Sequence, residues 1–302
     1  MANLKDIRNR IDSVENTKKI TRAMKMVATA KLRRAEERVE AARPYAKKLR
    51  RLIANLAARV DEEAHRLLEQ RELTDKVLVF VVSTNRGLCG SFNANLFREV
   101  RDFIEKLEVS NSNVEVAIMG DKADVHYNRQ PTEIVRSYDE IIDDVTYAKA
   151  RSAAHDGIEG FLSGEYDHIY VAYNEFISAI QYEQRVEQML PLSMETLMNH
   201  GDNGEEEGEE TESEGASEYI YEPNEPELLS DLLPRHLEVQ MFQALLESAA
   251  AEQAARMTAM DNATENAEDM IDELTLEFNR ARQAAITTEI MEIVSGSEAM
   301  KQ

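Results

Sequence analysis

The stretch Met257-Thr258-Ala259-Met260-Asp261-Asn262-Ala263-Thr264-Glu265-Asn266-Ala267-Glu268-Asp269-Met270-Ile271-Asp272-Glu273-Leu274 repeats its inward residues in strict steps of three and four. Met257, Met260, Thr264, Ala267, Ile271 and Leu274 are followed in the same rhythm by Phe278, Ala281 and Ala285. That is a coiled-coil seam. The surrounding segment, from about Pro234 to Ile293, has no Gly and no further Pro. Roughly 58 helical residues would span about 85 Å, well beyond the diameter of a small domain. Many seam positions are Ala or Thr, so a partner helix can approach closely.

The partner lies at the other end of the chain. Residues 3 to about 58 are dominated by Ala, Lys, Arg, Glu, Leu and Met, all good helix formers. Leu4, Ile7, Ile11 and Val14 share one stripe. Ile20, Met24, Val27 and then Leu49, Leu52, Leu56 continue the apolar spacing, which implies a register shift near Lys18. Pro44 is expected to bend or divide this helix. Winding the two ends around each other, antiparallel, buries both stripes and predicts a rod beside a globular body.

The middle of the chain has another rhythm. Lys76-Val77-Leu78-Val79-Phe80-Val81-Val82-Ser83 reads as a strand buried on both faces. A helix from about Asn93 to Leu107, a strand at Val114 to Met119, a helix from about Thr146 to Leu162 and a strand at His168 to Tyr173 follow. Ile180 to Leu190 supplies a fourth strand. The fold class is therefore α/β: a small, largely parallel, Rossmann-like domain plus a long antiparallel two-helix coiled coil formed by the N- and C-terminal helices. The expected domains are an N-terminal coiled-coil helix at 1–60, a central α/β domain at 75–195, an acidic flexible linker at 199–218, and a foot segment with the long C-terminal helix at 219–302. The linker is dense in Glu and nearly free of apolar residues, and order is expected to resume at Tyr219-Ile220-Tyr221-Glu222-Pro223. A solvated spacer is the default reading of it, with a regulatory tail or a cation-attracting patch as the alternatives.

Composition narrows the function classes. The 302 residues carry a net charge of −23, no Trp, 11 Gly and 6 Pro, a profile of long helices. Residues 1–60 hold 17 Lys+Arg against 6 Asp+Glu, a local +11, so the remainder carries −34. A basic arm in an acidic protein implies an acidic partner, either nucleic acid or a protein surface. The arm has no aromatic interleaving and no base-reading module, which favours protein. No apolar run is long enough to span a bilayer, and Asp6, Asp12 and Glu15 argue against a transit peptide.

No catalytic constellation stands out. The six His are scattered, and HExxH, GxSxG and Walker-type loops are absent. Cys89 is the sole cysteine, read as a buried, inert thiol rather than a nucleophile. Arg86-Gly87-Leu88-Cys89-Gly90-Ser91-Phe92-Asn93 lies between a strand and a helix, where phosphate loops occur. It lacks their Gly spacing and Lys, so a structural turn is favoured over nucleotide binding. No catalytic residue, metal ligand or cofactor is assigned.

Several stretches together resemble one family. Ile286-Thr287-Thr288-Glu289-Ile290-Met291-Glu292-Ile293-Val294-Ser295-Gly296 is similar to the C-terminal signature of F-type ATP synthase gamma subunits. Ile7-Arg8-Asn9-Arg10-Ile11 and Thr17 through Val27 resemble the N-terminal helix of that family. The turn from Arg86 to Asn93, Glu252 to Met257, and Asn279 to Ala284 resemble its other motifs. The likeness runs over nearly the whole chain. Ser297 and Asn85 depart from it, standing where Ala and Asp are usual, and the acidic linker is longer and more charged than the family's.

The resemblance implies a role that the residues alone do not. A gamma subunit would be a non-catalytic rotor shaft, with its coiled coil inside a ring of three alpha and three beta subunits and its α/β domain docked on the epsilon subunit and the proton-driven c-ring. Met24, Lys25, Arg256, Arg282, Gln283, Thr287, Glu289 and Glu292 are then expected to contact the alpha/beta ring. Tyr219, Tyr221 and Glu222 are expected at the foot, near the c-ring and epsilon. Membrane association would be indirect, on the cytoplasmic side of a bacterial plasma membrane, with no nucleic-acid partner. The rival readings are a free-standing coiled-coil scaffold, expected to form a homodimer, and a nucleotide-dependent enzyme built on the α/β domain.

Overall fold

A computed structural model describes residues 4–57, 65–71, 75–108, 112–139, 141–192 and 224–299. Two compact units emerge, one of Met1–Ala30 with Arg256–Gln302 and one of Lys31–Ala255. The acidic linker and the foot residues Tyr219, Tyr221 and Glu222 lie outside the described residues.

The N-terminal helix, α1, spans Leu4–Ala57 without interruption. Its inward positions alternate in threes and fours from end to end. Leu4, Ile7, Ile11, Val14, Lys18, Thr21, Lys25 and Ala28 are buried or half-buried, and Leu32, Ala35, Val39, Ala42, Ala46, Leu49, Ile53 and Leu56 continue the stripe. The expected register shift near Lys18 therefore does not occur. Polar residues occupy three seam positions there, and hydropathy assigns the seam to apolar neighbours that in fact face outward: Ile20 is 60% and Val27 58% exposed. Pro44 does not divide the helix either. It sits on an exposed face, where water can bond the carbonyl that loses its amide partner.

The second unit contains a five-stranded sheet. Its strands are β1 Lys76–Val82, β2 Asn113–Met119, β3 Glu133–Tyr138, β4 His168–Ser178 and β5 Gln181–Leu190, in the order β3-β2-β1-β4-β5. β1, β2, β3 and β4 run parallel, and β5 closes the edge antiparallel to β4. The helices α2 (Phe92–Glu108), α3 (Asp121–Tyr127) and α4 (Tyr147–Ser163) make the crossovers. β1 reads as a continuous apolar run because both of its faces are covered. Val77, Val79 and Val81 meet Leu96, Val100 and Ile104 of α2 in one core cluster. On the other face Gly157 of α4 lies so near Phe80 that a Cβ would sit 3.2 Å from its ring. The elements α3 and β3 are absent from the sequence reading. α3 is barely two turns with no side-chain cap, and β3 is a mostly exposed edge without clean alternation.

The C-terminal helix, α5, spans Glu225–Ala299, beginning before the expected Pro234 and ending beyond Ile293. From His236 to Ala255 every residue is buried or half-buried. A helix covered on all sides is mostly apolar, and Leu237, Met241, Ala244, Leu245, Ala250 and Ala251 are each at most 2% exposed, but His236, Glu238, Glu247, Ser248 and Glu252 are buried with them.

Candidate functional site

In the unit formed by the chain ends, α1 and α5 run antiparallel. Three polar pairs set their register. Lys25 Nζ lies 2.5 Å from Asp261 Oδ1, Thr21 Oγ1 lies 2.8 Å from Thr264 Oγ1, and Lys18 Nζ lies 2.9 Å from Glu268 Oε1. The ammonium of Lys18 holds the Glu268 carboxyl below its ordinary pKa. Lys18, Thr21 and Lys25 stand at positions of the α1 stripe that are otherwise apolar, and a polar seam position is a known means of specifying one register over its neighbours. Ile7, Ala28, Met260, Ala267 and Leu274 supply buried apolar layers to the same pair.

Sequence reasoning passed over Lys18, Thr21 and Lys25 as seam members, and over Asp261 and Glu268 as the residues beside the α5 seam that partner the two lysines. The available signal was the unbroken three-four spacing of α1, legible by extending the heptads inward from both ends of the helix.

Carrying the register outward brings Leu4 level with Arg282. The buried stripe of α5 ends there: Ala281 is half-buried, whereas Ala285, expected on the seam, is exposed. Beyond it Ile286, Ile290, Met291, Ile293 and Val294 are between 48% and 68% exposed. This is a run of large apolar side chains at the end of a helix, the kind of surface that marks an interaction site.

The residues singled out from sequence fall into two groups. Met24 and Lys25 are half-buried on α1, and Arg256 is half-buried on α5, five residues from Asp261. Arg282, Gln283, Thr287, Glu289 and Glu292 are exposed on the last turns of α5, where Thr287 Oγ1 donates to the Gln283 carbonyl at 2.9 Å. Arg282 is 21 residues beyond Asp261, about 32 Å along a helix, so the groups are separate surfaces.

The turn from Arg86 to Asn93 is braced by side-chain amides. Asn93 Oδ1 accepts the Thr84 amide at 3.2 Å, and Asn93 Nδ2 donates to Thr84 Oγ1 at 2.8 Å. Asn85 Oδ1 accepts the Asp121 amide at 3.1 Å, a task the amide oxygen performs as well as a carboxylate. Leu88 and Gly90 take positive φ. These bonds fit a structural turn, with Asn93 tying it to Thr84 at the end of β1. Among the described residues no cluster of His, Cys, Asp and Glu is arranged to hold a metal, and no helix is long and apolar enough to cross a membrane.

A family model described as ATP synthase matches residues 3–300. Gamma chains of ATP synthase align along the whole length. That of Geobacter metallireducens is 46% identical over 302 residues, covering 100% of both chains. Salinibacter ruber's is 44% identical, covering 100% of this chain and 99% of its own.

The chain belongs to the ATP synthase gamma chain family.

Solved structures agree with this membership. The gamma-family fold superimposes on a chain of the Tetrahymena thermophila mitochondrial ATP synthase central stalk and c-ring, with a TM-score of 0.56 and 26% identity over 81% of this chain and 99% of that one. A chain of the Euglena gracilis ATP synthase rotor matches in fold with a TM-score of 0.62 at 20% identity, over 94% and 98% of the two chains. A free-standing scaffold finds no support beside a gamma chain family match of this extent.

Proposed function

We propose that the chain is the non-catalytic rotor shaft of an F-type ATP synthase, turning inside a ring of three alpha and three beta subunits and coupling proton flow through the c-ring to their nucleotide sites. The observation that carries this reading is the gamma chain match over the full length, joined to an apolar end of α5 that no part of α1 covers. The exposed Ile286, Ile290 and Ile293, with Arg282, Gln283, Thr287, Glu289 and Glu292 beside them, suit the inner wall of such a ring. Met24, Lys25 and Arg256 form the second contact level. Lys25 is shared there between Asp261 and the ring's acidic surface, since its side chain remains 38% exposed. Tyr219, Tyr221 and Glu222 serve the foot, toward the epsilon subunit and the c-ring.

An asymmetric shaft presents a different face to each beta subunit at each angle. Nucleotide affinity then follows rotor position through differential contact, a population shift among site conformations. The complex places this chain at the cytoplasmic side of a bacterial plasma membrane through the c-ring.

The test is a mild-detergent purification of tagged chain from native membranes, assayed for ATPase activity and co-purifying subunits. A large ATPase with alpha and beta subunits in threefold excess is the expected result. A bare homodimer without ATPase activity overturns the reading.

A further inference from the structure

Where α5 passes through the second unit it is enclosed on all sides, yet three of its buried residues are carboxylates, Glu238, Glu247 and Glu252, and two of them are anchored to other elements by several bonds. The side chains of these two, Glu238 and Glu247, are 10% and 3% exposed. They lie nine residues apart, about two and a half turns, and so leave the helix in opposite directions.

Glu238 faces α4. Its Oε2 accepts the Tyr147 hydroxyl at 2.5 Å, its Oε1 lies 2.9 Å from His155 Nε2, and Arg151 Nε lies 3.4 Å from the same oxygen. Burial, and then the bond to Glu238, push the Tyr147 phenol up to about 12, so it remains a donor at neutral pH.

Glu247 faces α1 and β4. Arg43 Nη2 lies 3.2 Å from its Oε1, and the Phe176 amide donates to its Oε2 at 3.0 Å. Arg43 Nη2 also donates to the Phe176 carbonyl at 3.0 Å. Both backbone groups of Phe176 thus engage the helices, just where the β4–β5 ladder shifts register between Phe176 and Ser178. A third link, from Gln240 Nε2 to the Gln188 carbonyl at 3.3 Å, ties α5 to β5.

Stability alone does not account for these carboxylates. Apolar side chains of like volume commonly match or exceed a buried ion pair, and burial raises the pKa of Glu247 despite Arg43. Direction is what the pairs add. Interdigitated apolar ridges admit other angular settings one ridge away. Rotating α5 by one ridge would break every bond at both carboxylates and strand two buried charges.

We propose that Glu238 and Glu247 are positioning residues that key α5 to the α/β body, holding helix and body at one angle when torque passes between them. This rests on the rotor reading above. Residues that touch neither nucleotide nor ring would then govern how much rotation reaches the ion-driven side.

The test uses whole ATP synthase carrying variant chains in inverted membrane vesicles, with ATP hydrolysis and ATP-driven proton uptake measured together. In the Glu238→Gln and Glu247→Gln double variant, hydrolysis stays near wild type. Proton uptake per ATP falls to about half, as two charge-assisted anchors are weakened at once. Tyr147→Phe removes one hydroxyl and leaves His155 and Arg151 on Glu238, so it folds readily and gives a smaller fall in the same ratio. A wild-type ratio in every variant that assembles, or hydrolysis falling in step with uptake, overturns the proposal. A wild-type chain that brings no ATPase activity with it would instead remove the rotor reading.

Discussion

Lys25 and Asp261 meet at 2.5 Å across the seam of α1 and α5, at a position where a heptad pattern calls for an apolar residue. The pair is partly open to solvent, with side chains 38% and 42% exposed. Exposed ion pairs contribute about 0–1 kcal/mol. Asp261→Ala should therefore lower the stability of the purified chain by no more than about 1 kcal/mol, read from urea unfolding. A loss of several kcal/mol would mean that the polar layer carries stability rather than register.

Gly120 and Gly164 both take positive φ, 100° and 80°, but only one is crowded. A Cβ on Gly120 would sit 2.7 Å from the Ser83 carbonyl oxygen and 2.9 Å from Ser83 Oγ, whereas nothing lies within 4 Å of one on Gly164. Gly164→Ala should cost only about 1 kcal/mol of left-handed strain. Gly120→Ala should cost about 3 kcal/mol or more, because a close contact with backbone is added to the strain. Thermal unfolding of the two variants side by side checks the order.

His236 is 5% exposed on α5, with Arg50 and Glu187 facing it. Burial, then Arg50, bring its pKa down to about 4 from the ordinary 6.5. Between those values the unfolded chain binds a proton that the folded chain refuses, so stability is complete above about pH 6.5 and falls as pH drops toward 4. The loss for this one group approaches about 3 kcal/mol. His236→Gln should flatten the acid limb of a plot of urea midpoint against pH, and an unchanged limb would remove His236 as its cause.

Arg282 and Gln283 are exposed on the last turns of α5. Their replacement by Ala should leave unfolding of the isolated chain within about 0.5 kcal/mol of wild type while lowering ATP turnover of the assembled complex. Normal turnover in a reconstituted complex would remove both residues from the ring contact.

Much of this architecture is written in local pattern. The steps from Met257 to Ala281 define a seam because a helix returns to the same face every three or four residues, wherever it sits. Lys76 to Ser83 declares a buried strand because both of its faces must be apolar. The α/β alternation and the antiparallel ends follow from such periodicities alone. What escaped was of two kinds. α3 and β3 are short or exposed, so burial imprinted little on their residues. The polar seam at Lys18, Thr21 and Lys25, and the keys at Glu238 and Glu247, depend on partners far along the chain. A lone Lys or Glu in a helix reads as solvated, since its charge is costly to bury unpaired. Only the fold brings Asp261 to Lys25 and Arg43 with Phe176 to Glu247, and it is that proximity, absent from any local stretch, that sets Lys25 on the seam and makes Glu247 an interior residue.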